Sequence, residues 1–219
     1  EDAANAAIWA AINAGGNSGG FTLTGLGAAA HTVTGGSGSD LFAFGANLGA
    51  TDAITGGDGT DTLSANGAQL AAVTAAVKPT VTTVETLMIA DDVGAVATTV
   101  DASLFGGSVS NARVADQGAA GVAAITFNGL KAAASGSSNN IRLDGDVGAT
   151  GGTLTFNILN AQDAGTANAV TLDLRGGATT ATSAVVLNGV ETLTVDTTNG
   201  TGAKTFNITD AALQSLTVM

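Results

Sequence analysis

Short alternations of apolar and polar residues recur along most of the chain, and turns rich in glycine and asparagine separate them. Thr and Val favour strands, whereas Gly and Asn favour turns. The candidate strands after residue 80 centre near residues 84, 98, 113, 125, 141, 155, 171, 186, 193, 206 and 217. A spacing of this kind suits either the rungs of a solenoid or a β-sandwich. The triplet Thr-Phe-Asn, at 126–128, 155–157 and 205–207, is predicted to place Phe inward and Asn in a turn or ladder.

Two segments have a helical pattern instead. Residues 3–13 are rich in Ala, carry Ile8, Trp9 and Ile12 on one face, and end before a glycine pair. We expect Trp9 to pack this short N-terminal helix onto the rest of the fold. Residues 68–77 form the second helix candidate, which ends before Pro79.

A glycine-aspartate pattern occurs twice, as GGSGSDLF at 35–42 and GGDGTDTL at 56–63. The glycines allow tight turns that direct carbonyl oxygens inward, and the aspartate at the sixth position adds a carboxylate. Ca²⁺ takes six to eight oxygen ligands, so two stacked turns must share one ion. The apolar residues Phe42 and Leu63 are predicted to point into the core. The predicted calcium ligands from the two turns are Gly36, Gly38, Asp40, Gly57, Asp58, Gly59 and Asp61.

A degraded unit, GATDAI at 49–54, lies between the two copies. Its Asp52 precedes Asp61 by one repeat period, which places the 45–52 loop on the opposite side of the coil. Asp52 is a weaker candidate ligand because its loop lacks the double glycine. Because the repeats require parallel coiling, the sequence favours a solenoid over a sandwich: an all-β, calcium-binding parallel β-roll or β-solenoid with a short N-terminal helix and β-rich repeat modules.

Other acidic residues are weaker metal candidates. Asp91–Asp92 and the Asp-Gly-Asp at 144–146 bring carboxylates close together, but solvated turns explain them better.

A short sequence that occurs twice suggests how the rest of the chain is organised. The tetrapeptide Val-Glu-Thr-Leu occurs at 84–87 and again at 190–193, which suggests two related modules. Their glutamates, Glu85 and Glu191, are predicted to be charges at strand ends that block edge pairing. The predicted organisation is an N-terminal helix and entry strand at 1–32, a calcium β-roll at 33–66, and a β-solenoid repeat region at 67–219. We expect this last region to continue beyond residue 219.

Charge and composition exclude some classes of function. The net charge is −12 with only six Lys and Arg, so we expect no binding to nucleic acid and none to anionic membrane surfaces. Divalent cations are the natural counterions. Charged residues make up 11% of the chain, there is no cysteine, and no run of apolar residues is long enough to span a membrane.

Catalytic motifs are missing from the sequence. It contains one histidine, His31, and neither H-E-x-x-H nor G-x-S-x-G. The strand-like context of His31 favours a position on the surface or in a rung over a catalytic one. We therefore expect a protein that is not an enzyme.

The segments 33–42 and 54–63 resemble the calcium-binding repeats of the RTX (repeats-in-toxin) superfamily. The run Gly-Val-Glu-Thr-Leu at 189–193 is similar to strands that follow such repeats in RTX-type bacterial surface-layer proteins. The resemblance implies type I secretion, an extracellular location on the surface of a Gram-negative cell, and calcium-dependent folding. It also implies assembly of identical copies into a lattice, and cell-surface polysaccharide is a further candidate partner. The alternative is a repeat segment of a secreted RTX adhesin.

Overall fold

A computed structural model describes most of the chain beyond its N-terminal segment. The described residues are 19–115, 117, 124–145, 152–159, 168–175, 179–201 and 204–219, without the side chains of 179–183 and 204–206. The predicted helix at 3–13, with Trp9, lies outside them.

The strands form three parallel sheets that wind into a β-solenoid, which confirms the predicted all-β, parallel architecture. The strands are numbered in chain order. The nine-stranded sheet consists of β1 (Thr22–Leu23), β3 (Leu41–Gly45), β5 (Thr62–Ala65), β7 (Thr86–Ile89), β9 (Asn111–Val114), β11 (Asn139–Leu143), β13 (Ala169–Leu174), β15 (Thr192–Asp196) and β17 (Ser215–Val218). A three-stranded sheet consists of β2 (Thr32–Thr34), β4 (Ala53–Thr55) and β6 (Thr80–Thr82). A five-stranded sheet consists of β8 (Thr98–Asp101), β10 (Ala124–Leu130), β12 (Thr153–Ile158), β14 (Thr179–Leu187) and β16 (Lys204–Thr209).

Successive rungs place similar side chains above one another. Phe42 pairs with Leu63, and Leu63 pairs with Leu87 in the next strand. All three are fully buried, as expected for side chains on the core face of a strand. This confirms the inward orientation predicted for Phe42 and Leu63. Because β5 pairs with β7, the sheet continues without interruption past residue 66.

The second predicted helix is shorter in the structure than in the sequence pattern. The α-helix α1 spans Gly67–Ala71, and a turn rather than a helix follows it before Pro79. Only Gly67 and Leu70 of the helix are buried, and Val77 is 57% exposed. A helix this short depends on packing of an apolar face, and the apolar contact here ends after one turn.

The Thr-Phe-Asn triplets stack in the five-stranded sheet. Phe127 and Phe156 pair in register, with ring centroids 5.8 Å apart and nearly parallel. Asn157 Nδ2 donates to Asn128 Oδ1 at 2.7 Å, and Asn188 Nδ2 donates to Asn157 Oδ1. The predicted inward Phe and asparagine ladder are confirmed for the first two triplets. In the third, the Phe side chain lies outside the described residues.

Substitution of Asn157 by Ala should lower the free energy of unfolding by about 2 kcal/mol, because it removes the partners of both Asn128 and Asn188. Urea denaturation measures the change. Asn207, the exposed asparagine of the third triplet, is the matched control, and its replacement by Ala should have little effect. Equal losses in the two variants would mean that the ladder contributes nothing specific.

Candidate functional site

The two glycine-aspartate turns lie directly one above the other. Asp58 N donates to Gly36 O at 2.9 Å, and Thr60 N donates to Ser39 Oγ at 3.2 Å. The turn before β7 continues the stack, since Gly57 N donates to Thr83 Oγ1. The same-side placement predicted for the 35–40 and 56–61 turns is therefore confirmed.

Close approach of the backbones explains the glycines of these turns. A Cβ atom on Gly56 would lie 1.8 Å from Thr83 O, and one on Gly35 would lie 1.8 Å from Gly56 O. Gly57 and Gly59 also have φ values of 108° and 120°, which L side chains rarely adopt. The motif is thus a steric requirement of rung stacking.

The carboxylates of the stack bind backbone groups in neighbouring rungs. Asp40 accepts hydrogen bonds from Phe21 N at 2.8 Å and from Gly36 N at 2.9 Å, one on each oxygen. Asp61 Oδ1 accepts from Asp40 N at 2.7 Å, and Glu85 Oε2 accepts from Asp61 N at 3.0 Å. Each carboxylate therefore ties its own rung to the preceding one.

The two glutamates of the internal repeat have the same role. Glu191 Oε2 accepts a hydrogen bond from Asn168 N at 2.7 Å, as Glu85 does from Asp61 N. The strands that follow them, β7 and β15, lie inside the nine-stranded sheet. The prediction that these glutamates block edge pairing is wrong, because neither belongs to an edge strand and both satisfy buried backbone groups.

Asp61 differs from Asp40 in having one carboxylate oxygen without a hydrogen-bond partner. It is fully buried, and its Oδ2 has no hydrogen-bond partner. Burial raises the pKa of Asp61 to about 6; the hydrogen bond from Asp40 N opposes this rise, and the carboxylates of Asp40, Glu85 and Asp58 add to it. A cation beside Oδ2 would remove both the burial penalty and the repulsion.

Asp61 Oδ2 lies close to a backbone carbonyl oxygen of the next turn. A Cβ atom on Gly56 would lie 2.4 Å from Asp61 Oδ2 and 1.8 Å from Thr83 O, so both oxygens closely approach the Cα of Gly56. Thr83 has φ = 50°, an uncommon value for a β-branched residue and one found at strained functional turns. Among the described residues, no three His, Cys, Asp or Glu side chains form a group that could hold a metal ion. Backbone carbonyl oxygens, which Ca²⁺ accepts as ligands, would therefore have to complete the coordination.

The other candidate ligands are placed as follows. Gly36, Gly38, Gly57 and Gly59 lie in the stacked turns, and Asp58 lies in the same turn as Asp61 but is exposed. Asp40 is close to Asp61, yet both of its oxygens already accept backbone hydrogen bonds.

Asp52 lies on the opposite side of the coil, where its carboxylate accepts hydrogen bonds from other residues of the chain. Its Oδ1 accepts from His31 N at 2.9 Å and lies 3.2 Å from His31 Nδ1, while Oδ2 accepts from Gly49 N at 2.7 Å. Both side chains are buried, and the His31 ring meets Phe44 edge to face. Asp52 is not brought together with Asp40 or Asp61, and His31 lies beside a rung strand, as its sequence context predicted.

Of the weaker acidic candidates, Asp91, Asp92 and Asp144 have hydrogen-bond partners within the protein, and Asp146 lies outside the described residues. Asp91 Oδ1 accepts from Gly67 N, and Asp92 Oδ1 accepts from Gly94 N. Asp144 lies between Arg113 and Arg142, which both donate to it through Nε. The spacing of Arg142 and Asp144 is visible in the sequence, but the position of Arg113 beside them depends on strand register.

In the described part of the chain, no helix is both long enough and apolar enough to cross a membrane. The chain matches no protein-family model, no curated protein and no solved structure.

Proposed function

We propose that this protein is a structural subunit of a calcium-stabilised bacterial surface layer, secreted to the outside of a Gram-negative cell. The observation that carries the proposal is the buried, unpartnered Oδ2 of Asp61 at the stacked glycine turns of a parallel solenoid. Such an oxygen favours a divalent cation as its partner. The sequence resemblance to RTX-type surface-layer proteins supports the same assignment.

Calcium would be held by the turns at 35–40 and 56–61, with Asp61 as the carboxylate ligand and turn carbonyl oxygens as the remaining ligands. Because Asp61 Oδ2 lies close to Thr83 O, the turn before β7 would contribute that carbonyl oxygen. When bound, the ion supplies the positive charge that offsets the carboxylates crowded around Asp61. Stability would then depend on calcium through mass action, because the folded turns bind the ion and the unfolded chain does not.

The outer face of the nine-stranded sheet supports packing between copies. One row across it carries short, uncharged polar side chains in register: Thr62, Thr86, Asn111, Asn140, Thr171, Thr194 and Thr217. These side chains are exposed or half-buried. Side chains this short allow a neighbouring copy to approach closely once calcium has neutralised nearby carboxylates. Contacts between different patches of two copies do not close pairwise, so they can extend into sheets or filaments.

Calcium titration of the chain should convert monomers into extended assemblies, because neutralised carboxylates no longer repel neighbouring copies. Light scattering follows the titration, and electron microscopy identifies the product as sheets or filaments. Magnesium at the same concentrations is the control, since it requires near-octahedral geometry and retains its waters. A strictly monomeric protein at millimolar calcium would contradict the lattice proposal and favour a segment of an RTX adhesin.

A further inference from the structure

The outer face of the five-stranded sheet presents a regular array of short, uncharged side chains. In β10 and β12, Phe127 and Phe156 are buried, and the residues on either side of each are half-buried on the outer face. β14 continues the alternation. The centre of the array consists of a first rank, Thr126, Thr155 and Val186, and a second rank, Asn128, Asn157 and Asn188.

The threonine rank extends across the whole sheet. Thr126 pairs with Thr99 of β8, and Val186 pairs with Thr209 of β16. Both of these outer threonines are exposed. Thr and Val are β-branched and therefore stiff at χ1. The spacing of their outer atoms is thus set by the spacing of the strands.

Hydrogen bonds hold the asparagine rank in place. Asn157 Nδ2 donates to Asn128 Oδ1 at 2.7 Å, and Asn188 Nδ2 donates to Asn157 Oδ1. An amide group has two N–H donors and an oxygen with two lone pairs, so these contacts leave Asn157 one donor and one lone pair for water. Side chains that are already fixed lose less entropy when they order a layer of water.

The centre of the sheet has little twist. The rings of Phe127 and Phe156, which pair in register, differ in plane by 13°. Neighbouring strands are usually rotated by roughly 20–25°, and flat sheets are typically stabilised by stacking or by side-chain ladders. Both kinds of contact occur here, in the phenylalanine stack and the asparagine rank. A flat sheet allows the array to repeat along straight lines.

Both repeats of the array are close to repeats of hexagonal ice. Neighbouring strands lie about 4.8 Å apart, and alternate residues along a parallel strand lie about 6.6 Å apart. Oxygen atoms on the prism plane of ice repeat at similar distances in two perpendicular directions. A small ligand would occupy one unit of such an array and leave the others unused. An array that repeats in two directions therefore favours a ligand that also does so.

We propose that the outer face of the five-stranded sheet binds ice. The threonine hydroxyls and the asparagine amides order water at the spacing of the crystal, and the methyl groups of the threonine rank fit between these waters. Charged side chains would hold hydration shells of their own, and the six central residues carry no charge. The proposal does not depend on the calcium turns or on lattice assembly.

The nine-stranded sheet does not offer an equivalent face. Its row of threonines and asparagines lies beside a row that contains Arg113, Arg142 and Asp173, which are register partners in adjacent strands. The uncharged pattern there is one row wide and does not repeat along the strands. This face therefore provides a matched control.

Partition of the full chain into slowly growing ice tests the proposal, in magnesium buffer and with sedimentation to show that the protein is monomeric. Growing ice rejects ordinary solutes, so we expect enrichment of the wild-type protein in the ice fraction. Thr155→Lys, which places a charge at the centre of the array, should lower the partition into ice at least about tenfold. Thr194→Lys, in the threonine row of the nine-stranded sheet, should change it less than about twofold.

Exclusion of the wild-type protein from ice, or equal losses in the two variants, would overturn the proposal. If Thr155→Lys fails to fold, Thr155→Ser keeps the hydroxyl but removes the methyl group that makes χ1 stiff. It should lower the partition into ice several-fold, and an unchanged partition would overturn the proposal.

A second copy of the chain is the competing occupant of this face. Light scattering during calcium titration of Thr155→Lys separates the two, since we expect this variant to assemble as the wild-type protein does. Loss of assembly without a change in the partition into ice would assign the face to contacts between copies and overturn the proposal.

Discussion

Replacement of Asp61 by Asn should stabilise the calcium-free protein at pH 7 and abolish its stabilisation by calcium. The amide keeps an oxygen that can accept the hydrogen bond from Asp40 N. The substitution also removes the charge of a buried carboxylate whose Oδ2 has no hydrogen-bond partner. The NH₂ group of the amide would lie near Thr83 O and can donate to this oxygen. The free energy of unfolding should rise by about 2 kcal/mol, somewhat less than the free-energy cost of raising the pKa of Asp61 from 3.8 to about 6. Thermal unfolding with and without chelator measures both effects.

The same carboxyl group predicts the pH dependence of the calcium-free wild-type protein. Its pKa is higher in the folded state, so the folded protein binds more protons than the unfolded chain between about pH 4 and pH 6. The contribution of Asp61 to stability therefore falls as pH rises through this window and remains unfavourable above it. The Asn variant should lose this component of the pH profile.

Asp58→Asn is the matched control, because Asp58 lies in the same turn but is exposed. It should change the stability of the calcium-free protein by less than about 0.5 kcal/mol. A calcium-free Asp61→Asn protein that is less stable than wild type, or one that calcium stabilises as before, would contradict the proposed role of Asp61.

A single methyl group at Gly56 should unfold the stacked turns. The Cβ of Gly56→Ala would lie 1.8 Å from the backbone oxygen of Thr83, which cannot move without separating two rungs. We expect the free energy of unfolding to fall by about 4 kcal/mol or more, the range of severe steric substitutions. Urea denaturation measures the loss, and calcium should no longer restore the turn.

Gly27→Ala provides the control for this substitution. A Cβ on Gly27 would meet nothing within 4 Å, and its φ lies outside the left-handed region, so its replacement should be neutral or slightly stabilising. If Gly56→Ala were tolerated as well as Gly27→Ala, the rungs would not approach each other as closely as the stacked turns require.

The sequence by itself determined the parallel solenoid and the inward position of Phe42 and Leu63. It also placed the two glycine turns on one side and Asp52 on the other. These features follow from a local repeat, because each turn fixes where the next short strand begins. The helix at 67–71 was predicted too long, since helical pattern alone does not show where tertiary contact with the apolar face ends.

Only the tertiary structure decided what the polar side chains do. Because the rungs differ in length, the sequence separation between two residues that become neighbours in adjacent rungs is not constant. Asp61 N donates to Glu85, and Arg113 lies beside Arg142 and Asp144. The sequence offered Asp40 and Asp61 as equivalent metal ligands. In the folded structure both oxygens of Asp40 accept hydrogen bonds from backbone N–H groups, whereas Oδ2 of Asp61 has no hydrogen-bond donor. A hydrogen bond requires atoms within about 3 Å, and only the packed rungs specify positions at that scale.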